Sequence, residues 1–178
     1  MVGKYTGLND AYKSITKALT HGGIANRVDV EKKWIQAEVF EEEDPAPYLS
    51  GCHAILIPGG FGKRGAEEKI EVAGFARKNL VPYFGIFLGI QMAVIELVRD
   101  LLGIDSAGSE EFGLDEKQNS DEESPPVIFY LKKWIQDGEK VTREIGDDMG
   151  APMRLGAYPA ELMNESLVAK IYGNTKIS

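Results

Sequence analysis

The sequence predicts an α/β fold in which a parallel sheet carries helices on both faces, followed by a β-rich, antiparallel C-terminal part. Three observations carry this prediction. Short apolar runs alternate with stretches of helical periodicity; the run at Ala54 to Ile57 reads as a strand buried on both faces and that at Val81 to Ile86 as the next buried strand; and each run passes through a glycine-bearing turn into a helix. A chain of 178 residues can bury one core without metals or disulfides, so a single domain spanning residues 1–178 is expected.

Element by element, Met1 to Tyr5 opens as a short apolar strand. Asn9 or Asp10 then caps a helix on which Leu8, Tyr12, Ile15 and Leu19 recur at helical spacing until Gly22-Gly23 ends it. Arg27 to Val30 alternates as a strand, and the acidic, proline-punctuated stretch from Glu41 to Pro47 reads as a loop. Ala54 to Ile57 is the next strand, Glu67 to Asn79 a surface helix, Val81 to Ile86 a strand, and Leu88 to Leu102 an apolar helix stopped by Gly103. On that last helix Glu96, Arg99 and Asp100 fall three and four apart and predict one narrow solvated stripe. Gly108 to Pro126 is an acidic exposed loop. Val127 to Trp134, Lys140 to Glu144 and Met153 to Tyr158 follow as antiparallel strands.

Composition narrows the function classes. A net charge of −8, with the basic residues scattered, argues against nucleic acid as a partner, because phosphate binding needs clustered Lys and Arg. No run approaches the ~20 apolar residues of a membrane span and no signal-peptide pattern opens the chain, so a soluble protein with no membrane partner is expected. A lone cysteine, Cys52, excludes an internal disulfide and a multi-cysteine metal site, and fits a reducing, cytoplasmic location.

The chemistry concentrates where strands meet helices. Gly85-Ile86-Phe87-Leu88-Gly89 has the G-x-nucleophile-x-G form of a nucleophile elbow, which lifts its central side chain to the sheet rim and frees the following N–H, that of Leu88, to stabilise an oxyanion. The central residue here is Phe87, and a benzyl group cannot attack a carbonyl. Pro58-Gly59-Gly60-Phe61-Gly62 follows the preceding strand onto the same rim; it reads either as a plain turn or as a loop that turns N–H groups towards a ligand. Gly60 to Gly65 also matches G-x-G-x-x-G, but the acid that a dinucleotide-binding turn wants ~20 residues on, at the next strand end, is missing at Gly85 to Phe87. His21 and His53 lie away from the rim and read as structural or solvated. Gln91 is either a polar residue at a helix start or an amide contact, and Glu111 is either a solvated loop acid or a ligand contact.

These motifs occur in order along the whole chain: Val2 to Tyr5, Asp10 to Ser14, Pro58 to Gly65, Lys69-Ile70, Gly85 to Glu96, Ser109 to Phe112 and Met153 to Gly156. Together they resemble the glutamine amidotransferase domain of CTP synthases. The resemblance implies a flavodoxin-like class I amidotransferase fold, in which a Cys-His-Glu triad releases ammonia from L-glutamine for a separate synthetase domain that converts UTP to CTP. It implies that Gly60 and Leu88 serve the oxyanion and contact glutamine, that Gln91 contacts glutamine, and that Glu111 holds the substrate's α-amino group. Phe87 occupies the nucleophile's place, where it removes the thiolate that must form a γ-glutamyl thioester. No cofactor or metal is expected in this domain, since ATP and magnesium would belong to the synthetase domain, and assembly into a homo-oligomer is left open. The His and Glu of the triad would follow Ser178, and the first strand would begin before Met1. Two functional expectations result: a CTP synthase glutaminase domain that is inactive as written, or a non-catalytic pseudo-amidotransferase module for binding or assembly. A nucleotide-binding flavodoxin-like domain is the third, disfavoured by the absent ribose acid.

Overall fold

The computed structural model describes residues 1–7, 10–112, 126–130 and 157–178, together with the backbone of 133–136 and 139–142. The chain divides into two compact units, Met1–Tyr130 and Leu131–Ser178.

In the first unit, β1 (Val2–Gly3) pairs in parallel with β2 (Ile35–Gln36), and β3 (Ile55–Ile57) pairs in parallel with β4 (Tyr83–Gly85), setting Ile57 opposite Gly85. The helices are α1 (Lys13–Asn26), α2 (Pro45–Leu49), α3 (Ala66–Lys78) and α4 (Leu88–Leu102). Side chains alternate across a strand, so neighbouring residues report which helix covers which face. Val2 packs with Val72 and Ala76 of α3 in one core cluster, whereas Gly3 faces the Tyr12 ring at the start of α1. Helices therefore lie on both faces of β1. A second cluster, Ala66, Ile70, Leu88, Met92 and Ile95, joins α3 to α4. Phe84, on the face of β4 away from α4, is 62% exposed.

Several expectations are corrected. Gly22-Gly23 does not end α1, which runs on to Asn26 and stops at Arg27 in the left-handed conformation. Gly23 serves close approach instead, because a Cβ there would stand 2.8 Å from the Val28 carbonyl oxygen where the chain folds back. Asp10 does not cap α1; the N-cap is Tyr12, with no side-chain capping bond, and Asn9 lies outside the described residues. Arg27 to Val30 is not a strand. The pairing partner of β1 is β2, whose Ile35 is buried while Val28 is exposed. The stretch from Glu41 to Pro47 is not all loop: Asp44 accepts a 2.8 Å hydrogen bond from the Ala46 N–H and Pro45 fills the first helical position of α2, a favoured way to start a helix.

Nor is the stripe on α4 fully solvated. Glu96 is 6% exposed, and both its oxygens accept from Arg77 of α3, at 2.8 to 3.2 Å. Arg77 and Lys78 also pair with Asp100, and Arg99 pairs with Glu67, so this face is the α3–α4 seam. The helix bounds otherwise hold, with Gly103 in the left-handed conformation closing α4.

The acidic segment contains β5 (Gly108–Ser109) and a 3-10 turn over Glu110–Phe112. Its partner β6 (Pro126–Ile128) runs parallel to it, so Val127 belongs to a parallel pair and not to the antiparallel part. Antiparallel pairing begins in the second unit. There β7 (Lys133–Gln136) pairs with β8 (Glu139–Thr142), and β9 (Ala160–Glu161) pairs with β10 (Lys176–Ile177). Helix α5 (Leu167–Tyr172) is capped by Ser166, whose Oγ accepts from the Ala169 N–H. Met153 to Gly156 lies outside the described residues.

Candidate functional site

The bend after β4 begins where the ladder ends. The Ile86 N–H still bonds the Ile57 carbonyl at 2.9 Å, and one residue later Phe87 takes φ 52° and ψ −111°, a backbone region that a residue with a Cβ rarely enters. Helix α4 starts at the next residue. Its first turn is tightened by bonds from the Gly89 N–H to the Ile86 carbonyl and from the Ile90 N–H to the Phe87 carbonyl, both 3.0 Å. The glycines flanking Phe87 are required by packing rather than by their own dihedrals. A Cβ on Gly85 would stand 2.4 Å from the Gly89 carbonyl carbon, and one on Gly89 would stand 2.2 Å from the Ile57 carbonyl oxygen. Helix, strand and neighbouring strand thus touch backbone to backbone. The Tyr83 hydroxyl donates to the Gly89 carbonyl at 2.6 Å; burial raises its pKa, which keeps it protonated as a donor. The result is a sharp elbow that presents Phe87 to solvent, 68% exposed.

The loop after β3 shares this rim. A Cβ on Gly59 would lie 3.4 Å from Phe87 Cβ, and one on Gly60 would lie 3.4 Å from Leu88 Cδ2. Among the described residues, the N–H groups of Gly60 and Leu88 donate to no protein acceptor. Gly62 and Gly65 have φ of 76° and 72°, values that suit glycine. Glu111, far away in sequence, reaches this loop, since its Oε1 accepts from the Gly62 N–H at 2.7 Å. It is therefore a partly buried, hydrogen-bonded acid and not a fully solvated one. Gln91, in the first turn of α4, has a buried Oε1 with no hydrogen-bond partner among the described residues.

The structure thus gathers Gly60, Phe87 and Leu88 on one rim and links Glu111 to them through Gly62, with Gln91 in the same first helical turn as Leu88. His21 and His53 are both exposed. Three residues that periodicity did not single out also meet the loop. Lys4 Nζ donates to the Phe61 carbonyl at 2.6 Å. Lys69 is 1% exposed, with its Nζ 3.1 Å from where a Cβ on Gly65 would be, and Glu38 stands beside the same glycine. Burial lowers the Lys69 pKa, with the nearby Glu38 opposing the shift, while Arg64 Nη1 lies 2.5 Å from Glu38 Oε1. A lysine inside a helix carries no sequence mark that distinguishes a buried ammonium from a solvated one. Among the described residues no group of three His, Cys, Asp or Glu side chains could hold a metal ion, and no helix is long and apolar enough to cross a membrane.

Chemically, the rim offers two N–H groups with no protein acceptor among the described residues, those of Gly60 and Leu88, together with a carboxylate and a carboxamide, around a side chain with no nucleophilic atom. Residues 8–175 match the family model of class-I glutamine amidotransferases. The chain belongs to that family. Curated proteins similar to it include the CTP synthase of Methylorubrum populi, 56% identical over 178 residues, and that of Cereibacter sphaeroides (strain ATCC 17025), 56% identical over 177. These alignments take in 100% and 99% of this chain but 31% and 32% of the relatives, so the chain spans about a third of their length. Among solved amidotransferase structures, the glutaminase domain of Trypanosoma brucei CTPS with bound acivicin is 36% identical, with a TM-score of 0.73. The match covers 99% of this chain and 62% of that one. The α/β fold expected of a class-I amidotransferase is the fold observed.

Proposed function

We propose that this chain is the amidotransferase domain of a CTP synthase, built to hold L-glutamine at the rim formed by Gly60, Leu88, Gln91 and Glu111, and that its glutaminase step is silenced at residue 87. In the whole protein, ammonia freed from glutamine would pass to a synthetase domain that uses ATP to convert UTP to CTP. The observation that carries the reading is the backbone of Phe87, which has the φ and ψ of an elbow and lies against the glycine loop, yet bears a benzyl group.

Glutamine hydrolysis needs a thiolate to attack the side-chain carboxamide. The resulting oxyanion is received by preorganised N–H groups, and loss of ammonia leaves a thioester. Gly60 and Leu88 supply suitable donors. Phenylalanine supplies no lone pair, and because members of a catalytic triad act as a unit, losing the nucleophile alone removes most of the rate. The site would therefore bind its substrate without turning it over. The cytoplasm is the expected location.

Two measurements test this. Incubation with acivicin, the compound bound in the trypanosomal glutaminase domain, should leave the intact mass unchanged, and glutamine should release no ammonia above the buffer rate. An adduct at residue 87 or measurable ammonia release would overturn the silencing. Saturable thermal stabilisation by L-glutamine should accompany both results, since a ligand that binds only the folded state raises its stability. A second reading, a non-catalytic pseudo-amidotransferase module for binding or assembly, draws support from the donor-bearing loop kept beside a side chain that cannot react. A gene that runs on into synthetase sequence favours the first reading, and one that encodes a stand-alone module favours the second.

A further inference from the structure

We propose that Lys4 is a positioning residue of the glycine-rich loop, and that it works as one half of a clamp whose other half is Glu111. The Phe61 carbonyl and the Gly62 N–H belong to a single peptide unit. Lys4 Nζ donates to that carbonyl at 2.6 Å, and Glu111 Oε1 accepts from that N–H at 2.7 Å. A planar peptide held at both its polar ends by opposite charges has one orientation open to it, since a flip would turn its carbonyl on the carboxylate and its N–H on the ammonium. One further peptide unit, that between Gly60 and Phe61, separates this plane from Gly60. Holding it anchors the loop two residues beyond Gly60 and narrows the conformations open to the segment that carries the Gly60 N–H.

Lys4 is itself held in place. The N–H groups of Lys4 and Tyr5 both donate to the Tyr12 hydroxyl, at 3.2 and 3.3 Å, and the Tyr12 ring is buried and stacked on Trp34 with ring centroids 5.6 Å apart. The strap thus runs from a packed aromatic pair, through the backbone after β1, to the loop after β3. On the other side Ser109 Oγ accepts from the Glu111 N–H at 3.2 Å and anchors the backbone that carries the carboxylate.

The inference deepens the amidotransferase reading and rests on it in one respect. A carboxylate has two oxygens and room for about four hydrogen bonds, so Glu111 can keep Gly62 on one oxygen while a substrate ammonium meets the other. Recognition of the amino-acid end of glutamine is thereby linked to the conformation of the loop that carries the Gly60 donor. A second charged contact on Glu111 fixes that side chain's rotamer and slows release of the Gly62 N–H.

Amide hydrogen exchange read by NMR on the full chain tests both parts. In Lys4→Met the Gly62 amide should exchange about tenfold faster, the scale of losing one charge-assisted hydrogen bond, and the Gly60 and Leu88 amide resonances should move. The Val72 and Ile95 amides in the core should keep their rates. Lys4→Arg, which retains a cationic donor, should restore Gly62 exchange to within about twofold of the parent. In the parent, added L-glutamine should slow Gly62 exchange saturably, and this response should weaken in Lys4→Met. Unchanged Gly62 exchange in Lys4→Met overturns the clamp, as does equal acceleration at Val72 and Ile95, which would mark general loosening of the fold. If Gly62 responds to Lys4→Met but L-glutamine alters no amide in the parent, the positioning role of Lys4 on the loop stands and the glutamine reading falls.

Discussion

The turn after β3 takes the eight residues from Pro58 to Gly65 to reach its helix, whereas the turn after β4 takes only Ile86 and Phe87. Both deliver the chain from a parallel strand to a helix on the same rim, yet they use glycine for different ends. The long turn places positive φ on Gly62 and Gly65, where it carries little strain. The short turn uses Gly85 and Gly89 to let backbones touch, and leaves its positive φ on Phe87. Strain therefore sits on a rim residue whose side chain is exposed and has no reactive atom. An elbow that had been free to relax would not hold a bulky side chain there, so the packing of Gly85 and Gly89 dictates the bend whatever residue 87 is.

Three substitutions probe that contrast. Gly89→Ala attacks the packing that imposes the bend: a Cβ 2.2 Å from the Ile57 carbonyl oxygen cannot be absorbed by a side-chain adjustment. A loss beyond ~4 kcal/mol, or failure to fold, is expected. Full stability in urea unfolding would show that the short turn is not packing-enforced. Gly62→Ala tests the long turn, where a Cβ would meet only Lys4 Nζ at 3.7 Å, so the penalty is confined to the backbone. It should cost about 1 kcal/mol, from ~1–2 kcal/mol of left-handed strain less the stiffening of the unfolded chain.

Phe87→Gly should have the opposite sign. It relieves ~1–3 kcal/mol of strain and forfeits little burial, against about 1 kcal/mol for the added freedom of glycine in the unfolded state. A net gain of about 1 kcal/mol, read as a midpoint ~2–4 °C higher, is expected. A clear fall in midpoint would mean that Phe87 contributes packing that its exposure does not reveal.

The main strands and helices were legible because their signals are local. The unbroken run at Ile55 to Ile57 and the apolar helix from Leu88 to Leu102 emerged nearly as read, and the G-x-F-x-G spacing placed the bend at Phe87. Errors fell where a residue's role depends on a distant partner. Gly22-Gly23 has the appearance of a helix stop, but Gly23 answers to the Val28 carbonyl. Glu96 reads as one of three solvated charges, and it is buried only because Arg77 comes across from another helix. Short strands such as β2 carry too few residues for period two to emerge, so Arg27 to Val30 offered a better pattern than the true pair. Within the site, the glycines and Phe87 could be read from motif spacing. The bond between Glu111 and Gly62 spans 49 positions and the bond from Lys4 to Phe61 spans 57, distances over which no periodicity speaks.

The seam between α3 and α4 also bears on the rim. Arg77 grips Glu96 and Asp100 near the far ends of both helices, and the cluster of Ala66, Ile70, Leu88, Met92 and Ile95 fills the space between them nearer the rim. Tied by ion pairs at Arg77 and at Glu67, with apolar packing between, the pair behaves as a single beam. Because Ala66 and Leu88 belong to that packed cluster, the end of the Pro58 to Gly65 turn at the head of α3 and the elbow at the head of α4 are held against each other.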